Sequence, residues 1–265
     1  MDTTVQTQFG ANAEKYADSP VHAKGASLAR LVELTAPQPD WQVLDVATAA
    51  GHTAFAFAPH VEWVTAVDIT PEMLTVATEE AAKRQIENIT LQLGNAEALP
   101  FEDESFDLVT CRIAPHHFND IDQFLREAAR VLRSGGTLAV VDNVVPGSYR
   151  RGKKARLQRQ AGEYVNAFEK LRDPSHRRCL GVWEWKTAVK QANLTLTHTE
   201  TAPKTMNFHR WAARMDVSIA DTTRLQAMLL QAPEPVAAFL TPQVSSDRIE
   251  FCLTEAILIG KKDEI

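Results

Sequence analysis

Residues 43 to 53, VLDVATAAGHT, join an apolar strand through a tight turn to the start of a helix, and the run VEWVTAVD that follows ends in an acid, Asp68. Strand, turn, helix and second strand succeed one another so closely that a helix-crossed parallel sheet is the favoured arrangement. Asp68 falls 23 residues after Asp45, about the spacing that sets a carboxylate under the two hydroxyls of a ribose bound over the turn. Two hydroxyl donors facing one carboxylate make a charge-assisted pair. The segment reads as half of a dinucleotide-type cofactor site.

The rest of the chain continues the rhythm. Helices are expected over 11–17 and 21–35, then strand one at 41–46, a helix over 51–58, strand two at 61–67 and a long helix from Pro71 to about Arg84, with Thr70 as its N-cap. ITLQL at 89–93 and FDLVTC at 106–111 read as the third and fourth strands. Apolar residues then repeat at three and four from Ile121 to Leu132, and Gly135-Gly136 is expected to end that helix before a fifth strand, TLAVVD. Five strand–helix units favour a doubly wound, mostly parallel α/β sheet with helices on both faces. After Asp142 the pattern breaks into a basic helical insert over 147–180. WEWKTAVKQAN then resumes as a helix, LTLTHTE as a strand, and two short helices bounded by Asp221 and Pro233 precede a last strand, IEFCLTEAILIG. Four parts are expected: an N-terminal helical cap over 1–40, a cofactor-binding core over 41–146, the insert as a lid over 147–180, and the end of the core with a helical insert and the last strand over 181–265.

Composition narrows the function classes. With 45% hydrophobic and 23% charged residues the chain is ordinary for a globular protein, and its longest apolar runs are far too short to cross a bilayer. The N-terminus MDTTVQTQFG shows no secretory pattern, so a cytoplasmic location is the default expectation. Cys111, Cys179 and Cys252 stand far apart with no CxxC pair, and neither a disulfide framework nor a metal site is expected. The net charge of −6 conceals an uneven distribution. From Arg150 to Arg178 ten basic residues face three acids, a net +7 that leaves −13 for the remainder. That segment is either a solvated helix face or a cationic cover for an anionic substrate or surface.

Ligands of open α/β sheets sit beyond the carboxyl ends of the strands. Asp45, Asp68, Asn95 and the stretch from Arg112 to His117 all lie at such ends. Together with VLDVATAAGHTA, AVDITPEML, GNAEALPFEDESFDLV, CRIAPHHFND, REAARVLRSGGTLAVVDN, FEKLRDPSH and FCLTEAILI, they give a chain that resembles the class I S-adenosylmethionine-dependent methyltransferases, in the ubiquinone/menaquinone methyltransferase-like group. The resemblance implies a Rossmann-like fold of seven strands and S-adenosylmethionine as cofactor. It places Asp45, Ala47 and Gly51 at the cofactor's methionine end, Asp68 at its ribose, and Asn95 and Ala96 at its adenine. Thr48, Ile69, Met73 and Arg112 are further expected cofactor contacts. The family's turn commonly reads acid-x-Gly-x-Gly-x-Gly. Here Ala47 and Ala49 occupy two glycine slots, where a positive φ would cost about 1 kcal/mol, and Asn95 replaces a more usual aspartate. A nicotinamide cofactor would require a small residue where His52 stands.

Methyl transfer from a sulfonium is an in-line displacement, so a protein chiefly supplies alignment and dryness. A hydroxyl or acidic carbon acceptor also needs a base, and His116 and His117 beyond strand four are the candidates. In the insert, Phe168, Arg172 and His176 are expected to line the acceptor pocket, although Arg172 and Glu169 are also spaced to pair on a helix. The expectation is a methyltransferase acting on a small molecule, with O- and C-methylation both open. The alternatives are a protein that binds the cofactor without transfer, and a nucleic-acid methyltransferase, which only the basic insert favours. The segment RIAPHHFND departs from the quinone enzymes, so no quinone acceptor is assumed.

Overall fold

The computed structural model describes residues 3–10, 13, 25–246 and 248–264. Apart from residue 13, the helix expected over 11–17 lies outside the described residues, as do residues 21–24. The elements run α1 (Thr3–Gly10), α2 (Ala26–Thr35), β1 (Gln42–Val46), α3 (His52–Phe57), β2 (Trp63–Asp68), α4 (Pro71–Lys83), β3 (Ile89–Leu93), β4 (Phe106–Arg112), α5 (Ile121–Val131) and β5 (Leu132–Val144). They continue as α6 (Lys153–Arg172), α7 (Val182–Gln191), β6 (Leu194–Asn207), α8 (Phe208–Ala213), α9 (Ile219–Leu230), α10 (Glu234–Leu240), β7 (Gln243–Val244) and β8 (Ile249–Lys262). The strand order is β3-β2-β1-β4-β5-β8-β6, with β7 pairing on β8. The pairs β1–β2, β2–β3, β1–β4 and β4–β5 are parallel, as the strand–helix rhythm requires. Winding reverses between β1 and β4, so the loops leaving those two strands diverge around one crevice.

Two compact units share the chain. Among the described residues, the first comprises those up to Asp142 with Lys186–Glu200 and those from Ile257, and the second comprises Asn143–Trp185 and Thr201–Ala256. Interior strands of the first unit are buried on both faces, which is why VLDV of β1 shows no alternation. Val43, Val64, Ala66, Leu108, Ala139 and Val141 pack with Leu31, Ala54 and Phe57. On α4, Ala77 and Ala81 pack with Phe55. No helix among the described residues is long and apolar enough to cross a membrane.

Two differences from the sequence expectation have physical causes. Helix α5 stops at Val131 and β5 starts at once, Leu132 pairing with Phe106; regular pairing resumes at Thr137 opposite Leu108. Gly135, at φ 74°, therefore serves an irregularity in the strand rather than a helix end. Residues 201–256 cluster with 143–185 as one compact unit. Met206, Phe208, Trp211, Phe251 and Leu253 form a cluster with Val165 and Phe168 of α6, so the apolar face of α6 is buried by late-arriving residues. Finally, α1 carries no apolar periodicity in TTVQTQFG, yet it is helical and donates from Gln6 Nε2 to the Ile69 carbonyl at 2.7 Å.

Candidate functional site

The turn after β1 is held by two backbone hydrogen bonds. Thr48 N–H donates to the Val67 carbonyl at the end of β2, and Gly51 N–H closes back on the Thr48 carbonyl, both at 2.9 Å. Ala47 and Ala49 adopt φ 55° and 48°, and Gly51 adopts φ 86°. Both alanines therefore bear the left-handed strain that glycine would avoid. At Gly51 a Cβ would fall 2.3 Å from the Phe55 ring, so only glycine fits there. Replacing Ala47 and Ala49 by glycine should stabilise the protein by about 0.5–1 kcal/mol each, seen as a higher midpoint of thermal unfolding. An unchanged midpoint would mean that the turn does not store this strain.

Asp45 is 1% exposed and accepts from Thr48 Oγ1 at 2.6 Å and Thr110 Oγ1 at 2.7 Å. Burial pushes its carboxyl up to about 6, against the hydroxyl donors and the charge of Arg112. Asp68, at the tip of β2, accepts from Ala49 N–H at Oδ2 (2.8 Å) and from Thr70 N–H at Oδ1 (2.9 Å). Burial also raises its carboxyl above the ordinary value, opposed by those backbone donors. Thr70 is the N-cap of α4, but its side chain makes no cap bond; Asp68 satisfies its amide instead. Met73 is fully buried, and Ile69 is the residue bonded by Gln6.

Beyond β3, Asn95 is exposed and its Oδ1 accepts from Glu97 N–H at 3.0 Å, while Ala96 is buried. This loop is braced from α5. Glu127 accepts from Leu99 N–H at 2.8 Å, and Arg130 donates to the carbonyls of Leu99 and Phe101. Glu97 in turn accepts from Asn119 N–H at 2.7 Å, tying the loop to the one after β4. Arg112, at the end of β4, donates to Thr53 Oγ1 at 3.1 Å.

Next comes Ile113 at φ 55°, a β-branched residue in a left-handed conformation that costs on the order of 1–3 kcal/mol and persists only where its surroundings impose it. Here its N–H is held by the Val141 carbonyl at 2.7 Å. The chain then enters a 3-10 turn, Pro115–His117, in which both histidines are buried. His116 Nδ1 lies 2.5 Å from Oδ1 of Asp142, a fully buried carboxylate on β5 whose Oδ2 has no hydrogen-bond partner among the described residues. The His117 ring is 4.2 Å from that of His116 and meets Phe9 of α1 edge to face at 5.0 Å. Asp45, Asp68, Asn95, Arg112 and both histidines thus all belong to the first unit, at the carboxyl ends of its strands.

Sequence reasoning missed Asp142, Gln6 and Phe9. Asp142 carried a usable signal, since it lies near the end of an apolar strand as Asp45 does, and Asp68 ends one. The three insert residues are fastened within the second unit. Phe168 is fully buried, stacked on Trp211 at 4.8 Å. Arg172 donates to the Trp211 carbonyl at 3.0 Å with its guanidinium over that indole. His176 Nε2 bonds Asn166 Oδ1 at 2.9 Å.

A profile of the methyltransferase domain matches residues 44–140, the span from β1 to β5 that carries this site. The methyltransferase YcgJ of Bacillus subtilis is 33% identical over 261 residues, covering 98% of this chain and 99% of that protein. Its crystal structure superposes with a TM-score of 0.83, covering 90% of this chain and 99% of that one. The ubiquinone/menaquinone biosynthesis C-methyltransferase UbiE of Zymomonas mobilis is 41% identical over 105 residues, 40% of this chain and 43% of that protein. Strand order, acid-tipped strands and near full-length likeness agree: the chain belongs to the class I S-adenosylmethionine-dependent methyltransferases.

Proposed function

We propose that this chain methylates a hydroxyl group or an acidic carbon of a small molecule, with His116 as the base. The observation that carries the reading is the buried 2.5 Å contact between His116 Nδ1 and Asp142 Oδ1. A carboxylate accepts but cannot donate, so it places the imidazole proton on Nδ1 and the lone pair on Nε2. Nε2 then takes the proton from the acceptor hydroxyl or carbon acid, and Asp142 stabilises the imidazolium that forms. A neutral amine acceptor would attack with its own lone pair and would make less use of such a couple.

The residues beyond β1 to β3 fit S-adenosylmethionine. The Asp68 carboxylate accepts from the Ala49 and Thr70 amides, and two ribose hydroxyls would share its remaining acceptor capacity. Asp45, Ala47, Thr48, Gly51 and Arg112 would face the methionine end. Ile69 and Met73 would flank the ribose, and Asn95 and Ala96 the adenine. When bound, the cofactor supplies a methyl group on a sulfonium with a neutral leaving group. The buried histidine pair and Phe9 keep the acceptor side poor in water.

The test is transfer of an isotopically labelled methyl group into an unfractionated metabolite extract. Label in a small molecule, on oxygen or on carbon, is expected. Label on nitrogen would remove the need for the base, and label in RNA alone would overturn the small-molecule reading. No label in any fraction, with S-adenosylhomocysteine still bound, would make the chain a binding protein.

A further inference from the structure

The loop before α6 and the first turns of that helix carry Arg150, Arg151, Lys153, Lys154, Arg156 and Arg159, all exposed and none in an ion pair among the described residues. No acid occurs from Ser148 to Gly162; Glu163 is the first. Lys153, Arg156, Leu157 and Gln160 recur at three and four and are exposed, while Ala155, Ala161 and Val165 are buried on the other side. Arg159 donates to the carbonyls of Ser148 and Arg150, each at 3.0 Å, so loop and helix form one fixed surface. Within it Tyr149 is 71% exposed and Leu157 37%.

This placement works against the helix. Cations near a helix N-terminus oppose its dipole, α6 has no acid in its first turn, and Gly152 offers no side-chain cap. The remainder of the chain is net negative, so an anionic surface attracts this end and repels the rest. An exposed tyrosine and leucine interspersed among six exposed cations on this loop and helix match the two layers of a bilayer surface, anionic headgroups above and acyl chains below. Leucine offers nothing to stack on a nucleic-acid base.

We propose that this face of the second unit docks on an anionic lipid membrane, with the cations among the headgroups and Tyr149 and Leu157 at the acyl boundary. The full chain is floated with vesicles of phosphatidylcholine alone or mixed equally with phosphatidylglycerol. Anionic vesicles should bind at least about tenfold better, and rising salt should weaken that binding. The double variant Arg151→Glu/Lys154→Glu should lose the preference, whereas Lys186→Glu/Lys190→Glu, with the same change in net charge, should retain it. Tyr149→Ser/Leu157→Ser should bind more weakly and remain salt-sensitive. All of these positions are exposed, and circular dichroism checks that each variant folds. Equal partition onto both vesicles, no binding, or equal loss in both charge variants overturns the proposal. So does binding to oligouridylate without binding to vesicles, which would make the patch a nucleic-acid surface.

Discussion

Asp68→Ala should weaken binding of S-adenosylhomocysteine about 10- to 100-fold, the worth of hydrogen bonds to a buried charged acceptor. The effect has two sources, which separate experimentally. Alanine removes the oxygens assigned to the ribose hydroxyls, and it also leaves the Ala49 and Thr70 amides without their acceptor. Asp68→Asn keeps one oxygen and should fall between alanine and wild type. Calorimetry reads the affinity, and thermal unfolding of the free protein reads the damage to the turn. If the alanine variant is folded and its dissociation constant is unchanged, Asp68 does not hold the ribose. If affinity falls only in step with stability, the carboxylate is a brace for Ala49 and no more.

Much of this site was legible because its signals are local. An apolar strand, a turn and a distant acid fall within a few dozen residues, and the parallel register of β1 with β2 and β4 follows from the helices between them. Ala47 and Ala49 could be placed in the turn from their slots, but their positive φ could not be read, because alanine itself does not prefer it. Asp142 escaped notice for the opposite reason. Its partner lies 26 residues away in the turn that follows β4, and only pairing between β4 and β5 brings the two together. The insert shows the same limit. Phe168 looked available from its helix alone, yet Trp211 and Phe251, arriving much later in the chain, enclose it. Helix α1 left no trace in hydrophobic periodicity, since its contacts to Ile69 and His117 come from one glutamine and one phenylalanine.

His116→Ala should lower kcat by about 10²- to 10⁴-fold, the range for loss of a positioned general base, without weakening S-adenosylhomocysteine. The separation follows from geometry, since neither ring nitrogen belongs to the turn or to the acid at the tip of β2. Added imidazole should restore part of the rate in this variant, because the cavity it leaves is lined by the carboxylate that orients a ring. Asp142 acts through His116 and is a positioning residue, so Asp142→Asn should lower kcat about tenfold or more and gain nothing from imidazole. The amide either turns its NH2 toward Nδ1, forcing the proton onto Nε2, or leaves that NH2 buried where Oδ2 now lacks a partner. His117→Ala should cost less, since its ring packs on Phe9 and His116. Wild-type kcat in the His116 variant would remove the base. A fall in Asp142→Asn matched by an equal loss of cofactor affinity would assign the carboxylate to the architecture of β5, and the unpaired oxygen would need another explanation.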